Sequence, residues 1–344
     1  MSVAAGGAAL LLGSCLFAAP GHEGPPSAHF NGREFRNQVE ADPKGVGDLL
    51  KWWRSQDRGP WKPYTHHEPG PPPPAQVEVG QLRVTFINHA TTLIQLDGVN
   101  IITDPIYSKR ASPVRFAGPK RVRPPGIRFE DLPRIHLVLV SHNHYDHLDI
   151  PTLGRLEKAH GPMILTGLGN SRLLASRGME RAMDLDWWES VAITHEVRVH
   201  FVPAQHWSQR GLGDRNRTLW GGFVIEGRSH RVYFAGDTGF GPHFAQIRQR
   251  FGPPSLALLP VGVFRPRWLM RDMHLNPSDA VRAHRTLEAK RSVGIHLGTF
   301  RLGDDGQEEP ERELHKALKE AGIAKERFQI LGFGEGMDVP PDAL

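Results

Sequence analysis

The chain of 344 residues has a single cysteine, Cys15, and its main part has no hydrophobic run long enough to cross a membrane. One cysteine excludes an internal disulfide, and a membrane-spanning helix needs roughly 18–20 apolar residues in succession. The formal net charge is only +5, and no recognised nucleic-acid-binding module is present, which disfavours a nucleic acid partner. The 39% hydrophobic content is enough for a substantial core in one or two domains.

Residues 1–20 form a separate segment. Val3–Pro20 is apolar, is rich in small residues and has about the length of a secretory signal. Within it, Leu12–Cys15 resembles a bacterial lipobox, in which the cysteine carries lipid. Met1–Val3 has no Lys or Arg, so the usual basic start of a signal is missing, and the alternative is a disordered leader with a chance cysteine. We expect an exported, periplasm-facing, membrane-associated lipoprotein, and otherwise a cytoplasmic protein.

Residues 21–80 are expected to form an N-terminal extension and linker, and residues 81–344 the main domain. Gly21–Ser27 is polar and contains Pro and Gly, and Pro71–Pro74 should be extended and stiff. Between them, Gly47–Arg54 predicts a short helix. Its Leu and Trp residues either contact a membrane surface or pack on the chain's own domain.

Three histidines and an aspartate are concentrated in the segment Ser141–Asp149, in the pattern H-x-H-x-D-H. The segment directly follows Ile135–Val140, an apolar and β-branched run that predicts a buried strand. Imidazole and carboxylate groups at a strand tip are ligands that suit zinc and similar divalent ions. The alternative is a solvated histidine-rich turn, which the position after a strand disfavours.

A metal centre needs ligands from other strand tips, and further predicted strands carry such residues. These are Val197–Pro203 followed by His206, Arg231–Ala235 followed by Asp237, and Ser292–Thr299 containing His296. The simplest assignment has two ions, bridged by Asp237, because a carboxylate between two glycines can approach both. The remaining ligands are His142, His144 and His206 for metal one, and Asp146, His147 and His296 for metal two. Two metals roughly 3.5–4 Å apart can activate water and hold the oxygens of a reacting group.

These motifs resemble the metallo-β-lactamase superfamily and, more narrowly, its branch of N-acyl-phosphatidylethanolamine-hydrolysing phospholipases D. The resemblance runs from about Leu82 to Gly334, and the tryptophan-bearing strings narrow it to this branch. The strings that carry it are Thr103–Ile106, Arg110–Pro113, Gly118–Arg121, Ser141–Asp149, Leu185–Glu189, Gln205–Trp207, Leu219–Gly221, Phe234–Gly239, Arg250–Pro253, Pro266–Trp268 and Ile295–Phe300.

The resemblance implies an α/β fold, the four-layer αββα metallo-β-lactamase sandwich, over residues 81–344. Alternating strands and helices with all the metal tips at one edge agree with this architecture. The first strands are expected at Leu82–Asn88, Thr92–Leu96 and Asn100–Thr103. The predicted helices are Asp149–His160, Gly169–Arg177, His243–Phe251, Asn276–Ala289 and Glu311–Ala321.

The resemblance also implies a phospholipase D-type phosphodiesterase with two Zn²⁺ per chain, which converts N-acylated phosphatidylethanolamine to phosphatidic acid and N-acylethanolamine. Its catalytic residues would be Asp146, Asp237 and His274, the last at a position where the branch has an active-site histidine. One alternative is a lactonase or another ester or amide hydrolase on the same two-metal site. The other is a non-catalytic metal-binding lipoprotein. A true β-lactamase is disfavoured, because its best-known group uses a cysteine ligand for one zinc ion, and no cysteine is available for the site in this chain.

The expected partners are a phospholipid or small phosphodiester and a membrane surface, with a monomer or a homodimer left open. A basic stretch interrupted by prolines runs from Lys109 to Arg123. It would either lie near the substrate entrance or form an ordinary solvated loop. Of the other histidines, His160, His284 and His315 are expected on helix surfaces.

Overall fold

The computed structural model describes residues 18–42 and 44–340. The predicted lipobox, Leu12–Cys15, lies outside the described residues. None of the helices in the described part of the chain is both long and apolar enough to span a membrane.

The strands of the described residues form two sheets of seven strands each. Their bounds are β1 (Leu82–Asn88), β2 (Thr91–Leu96), β3 (Val99–Thr103), β4 (Leu137–Val140), β5 (Met163–Gly167), β6 (Ala182–Leu185), β7 (Ser190–Ala192), β8 (Arg198–Val202), β9 (Gly222–Glu226), β10 (Arg231–Phe234), β11 (Leu256–Pro260), β12 (Arg291–Ile295), β13 (Phe328–Gln329) and β14 (Gly336–Val339). The first sheet has the order β14-β1-β2-β3-β4-β5-β6, and the second has the order β13-β12-β11-β10-β9-β8-β7.

Each sheet is half antiparallel and half parallel. In the first sheet, β3, β4, β5 and β6 run parallel, and in the second sheet, β10, β11, β12 and β13 do. The carboxyl ends of parallel strands meet at one edge of a sheet, which is where ligand sites of α/β proteins form. Asp104, Ser141 and Gly236 follow β3, β4 and β10 closely at this edge.

Helices flank the two sheets, as the predicted sandwich requires, and the fold class is confirmed. Their bounds are α1 (Val46–Arg54), α2 (Ile150–His160), α3 (Ser171–Ala175), α4 (His243–Phe251), α5 (Arg267–Met270), α6 (Pro277–Leu287) and α7 (Glu309–Ala321). All five helices predicted for the main domain are present, but α3 is shorter than predicted. Gly169 and Gly178 have φ of +90° and +84°, a backbone conformation that a right-handed helix does not contain.

Strand β4 is buried on both faces, which explains its continuously apolar sequence. Leu137 and Leu139 belong to the core cluster that includes residues of both sheets, whereas Val138 and Val140 belong to a second cluster that includes leucines of α2 and α3. A strand that is buried on both faces has no polar alternation. The metal motif therefore begins at the end of a rigid, fully buried element.

His284 corrects the expectation of a surface histidine. It is only 5% exposed, and its Nδ1 lies 2.8 Å from Ser292 Oγ at the start of β12. The reason is that α6 contacts α4, α7 and β11, so that more than one of its faces is covered.

Residues of the N-terminal extension contact the part of the chain that follows residue 80. Phe30 and Phe35 are almost fully buried in the core cluster that includes both sheets. The indole N–H of Trp52 donates to Asp304 Oδ2 at 3.0 Å, and that of Trp61 donates to the main-chain oxygen of Asp305 at 2.7 Å. The extension is therefore a folded part of the same unit.

Candidate metal centre

The structure brings together all seven side chains that the sequence analysis assigned as metal ligands. We call His142, His144 and His206 the first ligand group, and Asp146, His147 and His296 the second. In the first group, His144 Nδ1 lies 2.9 Å from His142 Nε2 and 3.3 Å from His206 Nε2. Their potential donor atoms all lie within 4.8 Å of one another.

The second ligand group is equally compact. His296 Nε2 lies 3.2 Å from His147 Nε2 and 3.4 Å from Asp146 Oδ2. Asp237 adjoins both groups, because its Oδ2 lies 3.1 Å from His296 Nε2 and 3.8 Å from His206 Nε2.

The spacing of these atoms fits a metal. Donors bound to one tetrahedral zinc at roughly 2.0–2.1 Å lie about 3.3–3.4 Å apart, close to the separations in both groups. Asp237 Oδ1 and His144 Nε2 are buried without a hydrogen-bond partner, although buried polar atoms usually have one. The side chains therefore converge in a way that hydrogen bonding among themselves does not account for.

Hydrogen bonds on the far side of the rings hold the ligands in place. His147 Nδ1 lies 2.6 Å from Asp104 Oδ2, and His206 Nδ1 lies 2.9 Å from the main-chain oxygen of Met273. Ser141 Oγ lies 2.9 Å from His142 Nδ1. A carboxylate, carbonyl or hydroxyl partner on one ring nitrogen leaves the other free for a metal, which is the usual arrangement around metal-binding histidines.

Three of the assigned ligands, His142, His206 and Asp237, already have the protonation state that binds a metal. Burial holds the pKa of His142 and of His206 well below the ordinary histidine value. Burial opposes the ionisation of Asp237, but His147 and His296 outweigh it and hold the pKa of that carboxyl well below its usual range. Neutral imidazole and ionised carboxylate are the forms in which these groups bind metals. Asp237 and Asp146 outweigh burial and raise the pKa of His147 and of His296, so these two rings must release a proton when a metal binds.

His274 lies at the margin of this cluster. It is held in the loop between α5 and α6, where Arg267 donates to its main-chain oxygen at 2.9 Å. Its Nδ1 lies 3.9 Å from Asp237 Oδ2 and has no hydrogen-bond partner. Burial lowers the pKa of His274 to about 4, so the ring is neutral at pH 7.

Two residues of the site were not singled out from the sequence. Asp104 accepts hydrogen bonds from Ser141 and contacts His147, and His89 contacts Asp146. Both follow predicted strands directly, Leu82–Asn88 for His89 and Asn100–Thr103 for Asp104. Their position at a strand tip is the signal that could have identified them.

The sequence and the fold of this chain are similar to those of known proteins. Residues 99–297 match the beta-lactamase superfamily domain. The chain is 39% identical over 262 residues to N-acyl-phosphatidylethanolamine-hydrolyzing phospholipase D 1 of Caenorhabditis elegans, which covers 73% of each protein. It is 33% identical to the mitochondrial phospholipase of the same description from Saccharomyces cerevisiae, covering 71% of this chain and 53% of the yeast protein. The solved structure of isothiocyanate hydrolase from Delia radicum gut bacteria has a TM-score of 0.57 at 23% identity, covering 74% of this chain and 98% of that one.

These matches and the site geometry define a metal-dependent hydrolase of the metallo-β-lactamase superfamily. Within that superfamily, the chain belongs to the family of N-acyl-phosphatidylethanolamine-hydrolysing phospholipases D. The similarity to the isothiocyanate hydrolase shows the shared fold alone.

Proposed function

We propose that this protein is a dinuclear zinc phosphodiesterase that cleaves N-acyl-phosphatidylethanolamine-like lipids to phosphatidic acid and N-acylethanolamine. The observation that carries the proposal is the position of Asp237 Oδ2, which lies 3.1 Å from His296 Nε2 and 3.8 Å from His206 Nε2. A carboxylate oxygen that adjoins both ligand groups favours two ions that share a ligand. The identity to the nematode phospholipase supports a lipid phosphodiester as the substrate.

The donor set supports zinc, because it combines imidazoles with carboxylates. When bound, the pair of ions would polarise the phosphoryl oxygens and lower the pKa of water towards neutrality. The chain's own contribution is to hold the donors in place. Asp104 fixes the His147 ring, and the main-chain oxygen of Met273 fixes the His206 ring.

His274 is the residue we assign to the leaving group. Hydrolysis adds water across the bond between phosphorus and the ethanolamine oxygen, so this oxygen must receive a proton. His274 Nδ1 lies beside Asp237 without a partner, and its side chain is 12% exposed. A neutral ring in this position can orient the substrate, or it can take up the proton that the attacking water releases and pass it to the leaving oxygen.

We also assign a membrane surface as the partner and residues 81–344 as the hydrolase domain, with residues 21–80 packed against it. The loop that follows β3 supports the membrane assignment. Phe116 in this loop is 83% exposed, and residues 105–129 contain no acidic residue. At the base of the loop, Ser108 Oγ donates to Asp149 Oδ1 at 2.8 Å, beside the metal motif. An exposed aromatic ring among cations suits an anionic lipid surface.

The substrate proposal is tested with zinc-loaded protein in mixed micelles of N-acylated phosphatidylethanolamine. Mass spectrometry should detect phosphatidic acid and N-acylethanolamine, and a simple aryl phosphodiester should also be cleaved. Elemental analysis of protein purified without chelator should find close to two equivalents of zinc. Asp237→Asn serves as the inactive blank, and Asp338→Asn, which changes an exposed carboxylate paired with Arg83, as the matched active control.

A panel of lactones and simple esters run beside the phosphodiesters completes the test. An enzyme that opens lactones while leaving every phosphodiester intact would contradict the proposal, since the centre would then serve carbonyl chemistry. A single equivalent of zinc with full activity would contradict the dinuclear part alone.

A further inference from the structure

We propose that His89 is a positioning residue that holds the second ligand group together, an inference that rests on the proposed metal centre. His89 directly follows β1 and is 1% exposed. Its Nε2 lies 2.9 Å from Asp146 Oδ2, which makes it the nearest imidazole to that oxygen. His147 Nε2 and His296 Nε2 lie farther from it, at 3.3 Å and 3.4 Å.

The main chain of His89 connects to the other side of the same group. The amide N–H of His296 donates to the main-chain oxygen of His89 at 2.7 Å, and the amide N–H of His89 donates to Thr299 Oγ1 at 3.0 Å. The rings of His89 and His296 are 4.0 Å apart between centroids. His89 thus contacts one ligand from the first sheet and one from the second, Asp146 and His296.

The chemistry of the contact is a hydrogen bond from a neutral imidazole to a carboxylate. Asp146 has no N–H or O–H of its own when ionised, so His89 must donate, which requires the proton on Nε2. Such a bond fixes the orientation of a carboxylate without occupying the metal, and partners of this kind typically contribute roughly 10–100-fold to metal affinity. The backbone φ of His89 is +49°, in the left-handed region that few residues other than glycine adopt.

Two variants separate positioning from other roles. His89→Phe keeps a ring of similar size but removes the donor, and it should weaken binding of the ion held by Asp146 about 10–100-fold. His89→Gln retains an N–H donor and should recover most of that affinity. Zinc affinity is measured by competition with a chromophoric chelator, with Asp146→Asn as the reference that identifies the affected ion.

The matched control is His284→Phe. His284 is also a buried histidine whose ring contacts one side chain, Ser292 Oγ, but it is not among the groups that could hold a metal. This variant should lower stability and leave zinc affinity unchanged. Circular dichroism and thermal unfolding of the metal-free proteins verify that each variant folds.

The results separate this inference from the proposed function. A His89→Phe variant with wild-type affinity would overturn the positioning role, as would an Asp146→Asn variant that weakens no ion. Equal loss of affinity in the Phe and Gln variants would also overturn it, because His89 would then be a ligand. A wild-type protein that binds one ion contradicts the dinuclear proposal, whereas the effect of His89→Phe on that ion still decides the role of His89.

Discussion

Asn37 connects the N-terminal extension to the metal centre, and replacing it should destabilise the protein. Its Nδ2 donates to the main-chain oxygen of His206 at 2.8 Å, and its Oδ1 accepts from the amide of His206 at 3.0 Å. The same Oδ1 accepts from the Trp220 indole at 2.9 Å. One side chain therefore pairs with both main-chain groups of a predicted ligand.

The expected magnitude follows from these bonds. Asn37→Ala leaves the amide and carbonyl of His206 without partners, and His206 is fully buried. Trp220 keeps a second acceptor, the main-chain oxygen of Ala204 at 3.1 Å, and so loses little. Leaving a buried donor or acceptor unpaired costs about 1–3 kcal/mol each. Because Asn37 is itself only partly buried, so that water can reach part of the gap, we expect a loss of about 2–4 kcal/mol in the free energy of unfolding.

The assay is urea unfolding of the metal-free protein, since bound metal would add its own stabilisation. The matched control is Asn31→Ala, in the same extension. Asn31 Oδ1 accepts from the amides of Arg33 and Glu34 in an exposed turn, where water can replace it, and less than about 1 kcal/mol should be lost. If Asn37→Ala unfolds at the same urea concentration as Asn31→Ala, the reasoning is refuted.

Three further predictions concern the site and the leader. Asp237→Asn should lower turnover by about 10²–10³-fold, the range for one lost electrostatic contact, since it weakens the ligand that we propose is shared by two ions, while circular dichroism stays unchanged; similar losses of activity and of folding would argue against the shared role. His274→Ala should lower turnover roughly 10²–10⁴-fold with unchanged zinc content by elemental analysis, and concurrent loss of zinc would make it a ligand. Protein produced in a bacterial host should begin at Cys15 and carry acyl chains by intact mass spectrometry, and a mature chain that retains Met1 is incompatible with this prediction.

Local sequence patterns were sufficient to predict many of the strands and helices of the fold and most of the side chains that the structure brings together at the site. The apolar run that became β4 and the polar residues after it are contiguous, so a buried strand and its tip could be identified together. Asp237 and His296 were also found because each lies at or just after a strand-like run. Parallel strands bring such residues to one edge whatever their separation in sequence.

Contacts that depend on how the sheets and the extension meet could not be predicted in this way. His89 follows β1 in the first sheet, yet its main chain pairs with Leu297 beyond the end of β12. Asn37 lies in a polar, irregular stretch with no periodicity, and only tertiary packing brings it to His206. The burial of His284 likewise depends on three neighbouring elements that the helix pattern alone does not show.

The two sheets contribute jointly to each ligand group, and this explains why the connecting residues matter. In the first group, His142 and His144 follow a strand of the first sheet, whereas His206 follows β8 of the second. In the second group, Asp146 and His147 come from the first sheet and His296 from the second. Neither sheet alone can complete a group, so small shifts between the sheets would change the distances from His206 and His296 to the ligands of the first sheet. Contacts such as those of His89 and Asn37 join separate elements next to the ligands. They therefore help to fix the positions of Asp146, His296 and His206 relative to the rest of the site.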